Sequence, residues 1–225
     1  MLQTPIQEIH NAELLKLIPK NIKKIIEVGC SSGALAKEYK KINAGCEYIG
    51  IEISSDYGGL AKRYCDKVII GDIEVYPLDF YNQNSDVDCW IFADVLEHLK
   101  DPWEILRKIN SVLPQRGSVV ACIPNVQHWS VQAKISTGDF RYQDIGLLDR
   151  THLRWFTRKT IIELFEQTDF ELQEFKYRNI SNDPRKDEFL QIIKSLAFLA
   201  GSDPEQAAID ASPDQYVVLA TPRII

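Results

Sequence analysis

Short runs of apolar, often β-branched residues alternate along the chain with stretches in which apolar residues recur every three or four positions. Such runs are typical of buried strands, and the stretches between them are typical of amphipathic helices. The alternation predicts an α/β protein in which helices connect the strands of one sheet. Strands are predicted at residues 24–28, 47–52, 67–70, 87–94, 118–123, 170–177 and 215–220.

Helices are predicted from apolar periodicity, helix-favouring residues and end signals such as proline. One begins at Ala34, and the others lie at 7–18, 60–64, 103–113, 127–135, 157–168, 183–200 and 204–211. Residues 77–86 are expected to form a loop or a broken helix. The length of 225 residues predicts one domain, 1–225. Within it, we interpret 127–156 as a lid or acceptor-binding segment and 183–211 as a helical insertion of open role.

The first predicted strand is followed by a turn of small residues, from Gly29 to Gly33, and then by Ala-Leu-Ala, which favours a helix. This arrangement gathers backbone N–H groups and the positive end of a helix dipole, and it therefore suits an anionic group of a ligand. The dinucleotide fingerprint is not matched, because Ser31 and Ala34 replace its second and third glycines. A phosphate-binding P-loop would need Lys after Gly33. Glycines that serve packing alone remain the alternative.

Acidic residues follow the second and third predicted strands. Glu52 lies 19 residues beyond Gly33, and a carboxylate there can accept hydrogen bonds from both hydroxyls of a ribose. Asp72 can accept a hydrogen bond from an adenine amino group, while Ile73 packs on the ring. Ligands of open parallel sheets bind outside the carboxyl ends of the strands, so these residues predict a bound nucleoside. A solvated strand-end carboxylate is the alternative for Glu52.

A second motif, Asp94-Val-Leu-Glu-His98-Leu-Lys-Asp-Pro, spans the end of the fourth strand and the start of the next helix. Together with the acidic-x-Gly-x-x-x-Gly string that starts at Glu27, it resembles the class I S-adenosylmethionine-dependent methyltransferases of small molecules. The resemblance implies a Rossmann-like, doubly wound seven-stranded sheet whose last strand is antiparallel, with helices on both faces. It also implies S-adenosyl-L-methionine as the cofactor. The residues implied at the cofactor are Glu27, Gly29, Ser31, Gly33, Glu52, Ile53, Asp72, Ile73 and Asp94.

The chain departs from the commonest family pattern at Ser31, where many relatives have Gly. Serine is small, so this difference concerns the path of the loop and leaves the expected cofactor unchanged. The strand ends also lack the Asp-Asn pair and the further carboxylates that a metal-dependent methyltransferase would be expected to have. We therefore expect no metal.

Residues 137–156 combine aromatic, basic and acidic side chains without a strand or helix period, as functional loops do. The string from Gly146 to Thr157 resembles a stretch in bacterial methyltransferases associated with glycan biosynthesis, which implies a sugar or glycan intermediate as acceptor. His98 and His152 are the candidate catalytic bases, because imidazole titrates near neutral pH, and a structural role is the alternative for each. The expected acceptor-binding residues are Asn125, Arg141, Tyr142, Asp149 and Arg150.

The acceptor segment also has a structural interpretation. In that alternative it is a crossover in which Asp149 and Arg150 satisfy each other in a salt bridge. The sequence does not decide whether an oxygen or a nitrogen of the acceptor is methylated.

The net charge is −6 and the isoelectric point is about 5.3, which weighs against a nucleic-acid substrate. The five cysteines are scattered without CxxC spacing, so we expect buried thiols and neither a zinc site nor disulfides. No signal peptide and no apolar run long enough to span a membrane is recognisable, which predicts a cytoplasmic protein.

Three other functions remain open at the level of sequence. An NAD-dependent Rossmann enzyme would share the sheet and Glu52, but the glycine spacing disfavours it. A scaffold that binds S-adenosylmethionine without catalysis would share every cofactor residue. A methyltransferase of macromolecules is the third, and the acidic charge argues only against RNA. Either a monomer or a homodimer is compatible with the sequence.

Overall fold

The computed structural model describes Pro5, residues 9–180 and residues 182–224, and strands and helices alternate along most of this length. The strands are β1 (Lys24–Val28), β2 (Glu47–Glu52), β3 (Lys67–Ile70), β4 (Cys89–Ala93), β5 (Ser118–Pro124), β6 (Phe170–Arg178) and β7 (Gln215–Pro222). The helices are α1 (Ala12–Leu17), α2 (Ala34–Ile42), α3 (Ser55–Ala61), α4 (Leu78–Asn82), α5 (Pro102–Asn110), α6 (Trp129–Ser136), α7 (Arg158–Glu166), α8 (Lys186–Leu199) and α9 (Pro204–Asp210). Short 3₁₀ turns occupy Ile73–Val75 and Leu96–His98.

All seven strands form one sheet in the order β3-β2-β1-β4-β5-β7-β6. The first five strands pair in parallel, and β7 is antiparallel to both β5 and β6. Strand β6 therefore runs in the same direction as β5, which confirms the expected sheet of six parallel strands and one antiparallel strand. The chain direction across the sheet reverses between β1 and β4, and ligands of open α/β sheets bind at such a switch point.

Successive strand residues point to opposite faces, so one strand supplies both cores. Ile25 and Ile91 belong to a core shared with α1 and α2, whereas Ile26 and Trp90 belong to a second core shared with α5 and α7. The central strands are buried on both faces, which explains their continuous apolar sequence. Helices thus cover both faces, as expected.

Two helices begin later than predicted, at positions set by their N-cap residues. Helix α1 begins at Ala12, because the side chain of Asn11 accepts hydrogen bonds from the next turn, and the earlier start predicted at residue 7 lies partly outside the described residues. Helix α6 begins at Trp129, two residues after the predicted start, because His128 is its N-cap. Residues 77–86 include the short helix α4, consistent with the broken helix that was one of the two expectations.

The predicted insertion at 183–211 forms α8 and α9, which pack beside α6 rather than on the main cores. Trp129, Ile193 and Ala211 form a small core of their own, and the Trp129 ring stacks on Phe189 with centroids 5.2 Å apart. The five cysteines, all within the described part of the chain, are buried and free, as expected. Among the described helices, none has the length and apolar character needed to cross a bilayer.

Candidate cofactor and acceptor site

The turn between β1 and α2 has three residues in the left-handed region: Gly29 at φ +69°, Ser31 at +48° and Gly33 at +78°. Glycine adopts this conformation without strain, whereas Ser31 does so at a cost. The Ser31 N–H donates to Oε2 of Glu52 over 2.8 Å, which holds the strained residue in place. Helix α2 then begins without a side-chain cap from any described residue, so its first N–H groups face the turn.

Both glycines of the turn also permit close packing. A Cβ on Gly29 would lie 2.5 Å from Cγ2 of Val95, in the segment that follows β4. A Cβ on Gly33 would lie 3.1 Å from Cα of Ala61, at the end of α3. The packing role that the sequence left as an alternative is therefore present, and it exists together with the open helix start.

The carboxylate of Glu52 lies at the carboxyl end of β2 and is 3% exposed. Besides the bond from Ser31, its Oε1 accepts a hydrogen bond from the Ser54 N–H over 2.9 Å. The solvated-carboxylate alternative is therefore wrong for this residue, because the group is buried and joins two turns. An ionised carboxylate has the capacity for more than two hydrogen bonds, so ribose binding stays a prediction that this geometry allows. Ile53, the next residue, is half exposed.

Asp72 and Ile73 follow β3 but face different surroundings. The Asp72 carboxylate caps the adjoining 3₁₀ turn by accepting a hydrogen bond from the Glu74 N–H over 2.9 Å. Ile73 is 3% exposed and packs in the core on the α5 side of the sheet. Glu74 accepts hydrogen bonds from the N–H groups of Lys100 and Asp101, which ties this turn to the segment after β4. The adenine contacts of Asp72 and Ile73 stay predictions.

Glu27 is buried within β1 and accepts a hydrogen bond from the Tyr48 hydroxyl over 2.9 Å. Burial raises the pKa of its carboxyl well above the ordinary value, and the bond from Tyr48 only partly offsets this. Its side chain lies in the core shared with α1 and α2, on the same side as Tyr48. A contact with the cofactor stays a prediction for this residue.

Asp94 directly follows the central strand β4 in a left-handed conformation, φ +57°, and belongs to a chain of hydrogen-bonded polar side chains that the sequence does not reveal. Its Oδ1 accepts a hydrogen bond from Nε2 of Gln215 over 2.5 Å, and the Gln215 amide oxygen in turn accepts one from Arg178. Burial raises the pKa of Asp94 to about 6, although the positive charge of Arg178 acts to lower it. The antiparallel direction of β7 places its first residue, Gln215, beside Pro124 at the carboxyl end of β5. In the sequence, the expected antiparallel direction of the last strand was the only indication that Gln215 would lie near Asp94.

The segment after β4 carries the C-terminal part of the predicted acceptor segment. The carbonyl of Glu97 accepts hydrogen bonds from the N–H groups of Leu153 and Arg154 over 2.8 and 2.9 Å. The His98 ring nitrogen Nδ1 lies 3.1 Å from the Thr151 carbonyl oxygen. The segment therefore lies against the loop that Asp94 begins, which is the proximity that the acceptor prediction requires.

The same docking brings together the two candidate bases, which are 54 residues apart in the chain. The His98 and His152 rings have centroids 4.8 Å apart and an interplanar angle of 70°. Burial lowers the pKa of both imidazoles, to about 4 for His152, so both are neutral at pH 7. A neutral imidazole can accept a proton, but a pKa near 4 makes His152 a weak base.

Two of the predicted acceptor residues are buried and make structural hydrogen bonds. The Asn125 amide donates to the carbonyls of Asp210 and Pro213 over 2.8 and 2.9 Å, and its Oδ1 accepts from the Gln127 N–H. Asp149 accepts from both the N–H and the hydroxyl of Thr151. Acceptor binding stays a prediction for both residues, although their side chains already hold the backbone around them.

The other three predicted acceptor residues are exposed on the outer part of the segment. Arg141 pairs with Asp139 over 2.6 Å, and Arg150 pairs with Asp144 over 2.8 Å. The interpretation in which Asp149 and Arg150 neutralise each other is therefore wrong, because Arg150 has a different partner. Tyr142 is 57% exposed, and its ring packs edge-on against a neighbouring aromatic ring, that of Phe140.

Comparison with known proteins assigns the chain to a family. Residues 3–174 match a family model described as a methyltransferase domain, which covers most of the chain. The chain belongs to this family. No curated protein matches it significantly in sequence. The family match and the strand order favour a methyltransferase over an NAD-dependent enzyme. Together they confirm the expected enzyme class and its cofactor, S-adenosyl-L-methionine.

Solved structures share the fold at low sequence identity. A SAM-dependent methyltransferase from Archaeoglobus fulgidus is 19% identical, with 93% of this chain and 91% of that chain aligned at a TM-score of 0.62. Magnesium protoporphyrin IX methyltransferase from Synechocystis, solved with bound SAH, is 13% identical, with 94% and 79% aligned at 0.59. A TehB-like SAM-dependent methyltransferase from Corynebacterium glutamicum is 16% identical, with 94% and 86% aligned at 0.54. At these identities the likeness shows the architecture alone.

Proposed function

We propose that this methyltransferase moves a methyl group from S-adenosyl-L-methionine to an oxygen or nitrogen of a small molecule. The observation that carries the proposal is a convergence at the carboxyl edge of the sheet. The glycine turn after β1, the buried Glu52 after β2 and Asp94 after β4 lie at adjacent strand ends around the switch point. The segment that contains His152 docks on the loop that follows Asp94.

The chemistry of these groups fits the cofactor. The uncapped start of α2, reached through Gly29 and Gly33, suits the carboxylate of the methionine part. In this proposal Glu52 accepts hydrogen bonds from the ribose hydroxyls, and Asp72 accepts one from the adenine amino group. When bound, the cofactor supplies a methyl group on a positively charged sulfur. The task of the chain is then to hold the acceptor in line with that methyl group and to exclude water.

Within this function we propose a hydroxyl-rich or anionic acceptor, such as a sugar or a glycan intermediate. Support comes from the exposed Arg141, Tyr142 and Arg150 on the segment that docks beside the strand ends. Their partners Asp139 and Asp144 lie at the surface, where ion pairs contribute little and exchange readily with an incoming anion. Neutral His98, on which the segment docks, and neutral His152, within the segment, are the candidates for accepting the acceptor proton.

The substitution Glu52→Gln tests the part of the proposal that concerns cofactor binding. The change keeps the shape of the side chain but removes the charge, and it replaces one acceptor oxygen with a donor amide facing a backbone N–H. We expect the affinity for S-adenosylhomocysteine, measured by calorimetry, to fall by about 10- to 100-fold, corresponding to about 1–3 kcal/mol. Glu47→Gln, at the exposed start of the same strand, is the control and should bind as the unmodified protein does. Equal affinity in both variants would remove Glu52 from the cofactor site.

Methyl transfer itself is tested with isotope-labelled donor and pooled acceptors. We expect label to enter a sugar, sugar phosphate or glycan intermediate rather than RNA or protein, with mass spectrometry identifying the product. Transfer to a macromolecule alone would replace the proposed acceptor class. A protein that binds the donor but labels nothing in any pool would favour the non-catalytic scaffold.

A further inference from the structure

Glu97, His98 and His152 form a compact cluster of three groups that can bind a metal. Their ligand atoms all lie within 4.8 Å of one another. Oε1 of Glu97 is 4.0 Å from Nε2 of His98 and 3.9 Å from Nε2 of His152. Two ring nitrogens, supplied by segments far apart in the chain, therefore face the same carboxylate oxygen.

The Glu97 carboxylate itself is the unusual feature. The residue is 1% exposed, and neither side-chain oxygen has a hydrogen-bond partner among the described residues. At 3.9 and 4.0 Å, both imidazole nitrogens are too far away to form hydrogen bonds with it. Buried carboxylates are normally paired, hydrogen-bonded or bound to a metal. A cation bound between the three groups would account for all of these distances at once.

Neighbouring groups fix the orientation of both histidine rings. Nδ1 of His98 lies 3.1 Å from the Thr151 carbonyl, so it carries the proton and leaves Nε2 with a free lone pair. The His152 ring packs edge-on against the rings of His98 and Trp155, with centroids 4.8 and 5.4 Å apart. Metal-binding histidines typically donate their second ring N–H to a carbonyl or carboxylate, which fixes the ring and the tautomer.

We propose that Glu97, His98 and His152 bind one divalent transition-metal cation, of which Zn²⁺ and Co²⁺ are the probes of choice. Two imidazoles and one carboxylate suit such ions better than Ca²⁺ or Mg²⁺, which prefer oxygen ligands. Bonds of about 2.0–2.2 Å place neighbouring ligand atoms about 3–3.5 Å apart, so separations that now reach up to 4.8 Å have to shorten by up to about 1.5 Å. Three protein ligands leave coordination positions open, as catalytic sites do.

This inference replaces the sequence-based expectation of no metal. That expectation rested on carboxylates at strand ends, whereas these ligands come from the 3₁₀ turn after β4 and from the docked segment. A cation would occupy the Nε2 lone pairs of both histidines, so metal binding and a general-base role for His98 or His152 exclude each other. The inference does not depend on the proposed methyl transfer, because binding of the metal alone can be measured.

The experiment titrates chelator-treated protein with Zn²⁺, Mn²⁺ or Co²⁺ alone. Equilibrium dialysis with elemental analysis gives the stoichiometry and affinity, and the Co²⁺ absorption spectrum reports the ligand set. We expect one ion per chain, and at least about a 100-fold loss of affinity in Glu97→Gln and in His152→Gln. His128→Asn is the control, since His128 is also buried and lies 3.8 Å from a carboxylate, that of Asp214, outside the cluster. It should bind the metal as the unmodified protein does.

Thermal unfolding separates metal binding from a structural role. In Glu97→Gln a neutral amide replaces the buried carboxylate, so the metal-free variant should melt no lower than the unmodified protein. The rise in melting temperature that added Zn²⁺ causes in the unmodified protein should be absent in the variant. Failure of the unmodified protein to bind one ion would overturn the proposal, and so would a Glu97→Gln variant that keeps the full affinity. Neither result would affect donor binding at Glu52.

Discussion

Gly29→Ala is expected to lower the free energy of unfolding by about 2–5 kcal/mol and to weaken donor binding. The new Cβ would lie 2.5 Å from Val95 Cγ2, and overpacking of this kind costs about 1–3 kcal/mol. The positive φ of +69° adds about 1–2 kcal/mol for a residue with a Cβ. Because the turn must move away from Val95, the N–H groups at the start of α2 move with it. Urea unfolding and calorimetry with S-adenosylhomocysteine measure the two effects.

Gly59→Ala is the matched control for that experiment. Gly59 lies in α3, where a Cβ would meet no heavy atom of the described structure within 4 Å apart from its own helix and chain neighbours. Alanine favours a helix, so this change should stabilise the protein by about 0.5–1 kcal/mol. Adding Val95→Ala to Gly29→Ala should recover the steric part of the loss but not the part due to φ. Equal stability of the two glycine variants would contradict the close packing seen here.

Asn125→Ala is expected to cost about 2–4 kcal/mol of stability, because it leaves the carbonyls of Asp210 and Pro213 and the Gln127 N–H without their partner. Two of these three hydrogen bonds are fully buried. The measurement is the urea midpoint together with the slope of the transition.

Asn110→Ala provides the comparison, since its amide makes one exposed hydrogen bond, to the Asp169 carbonyl. It should change the stability by no more than about 0.5 kcal/mol. Folded Asn125→Ala protein should also keep its affinity for S-adenosylhomocysteine, because the hydrogen-bond partners of this side chain are Asp210, Pro213 and Gln127 and none of them is a predicted donor-binding residue. If Asn125→Ala were as stable as Asn110→Ala, its amide would be available for the acceptor, as the sequence predicted.

The sheet was predictable because its signals are local. Each strand is a short apolar run with a turn beyond it, and the predicted strands agree with the observed ones to within about two residues. Glu52 was identified for the same reason, since a carboxylate directly after a buried strand must lie at the edge of a parallel sheet.

The partners of Asp94 and the surroundings of Glu97 could not be predicted in this way. Gln215 reaches Asp94 only because β7 is inserted beside β5, a contact between segments more than a hundred residues apart. Glu97 belongs to the motif that begins at Asp94, but the sequence indicates His98 and His152 only as two separate candidate bases. Only the docking of residues 149–154 shows that His98 and His152 face one carboxylate. No sequence period relates positions that meet through docking of a loop.

The position of β7 between β5 and β6 also fixes the order in which the sheet can be completed. Strand β6 touches the rest of the sheet only through β7, although it is made first along the chain. A growing chain that has reached the end of β6 therefore does not yet contain β7, the strand with which β6 pairs in the sheet. The strands β1 to β4, by contrast, pair only with one another and with β5, all of which are made before β6. The hydrogen bond between Gln215 and Asp94 can form only after β7, which begins at Gln215, has been synthesised.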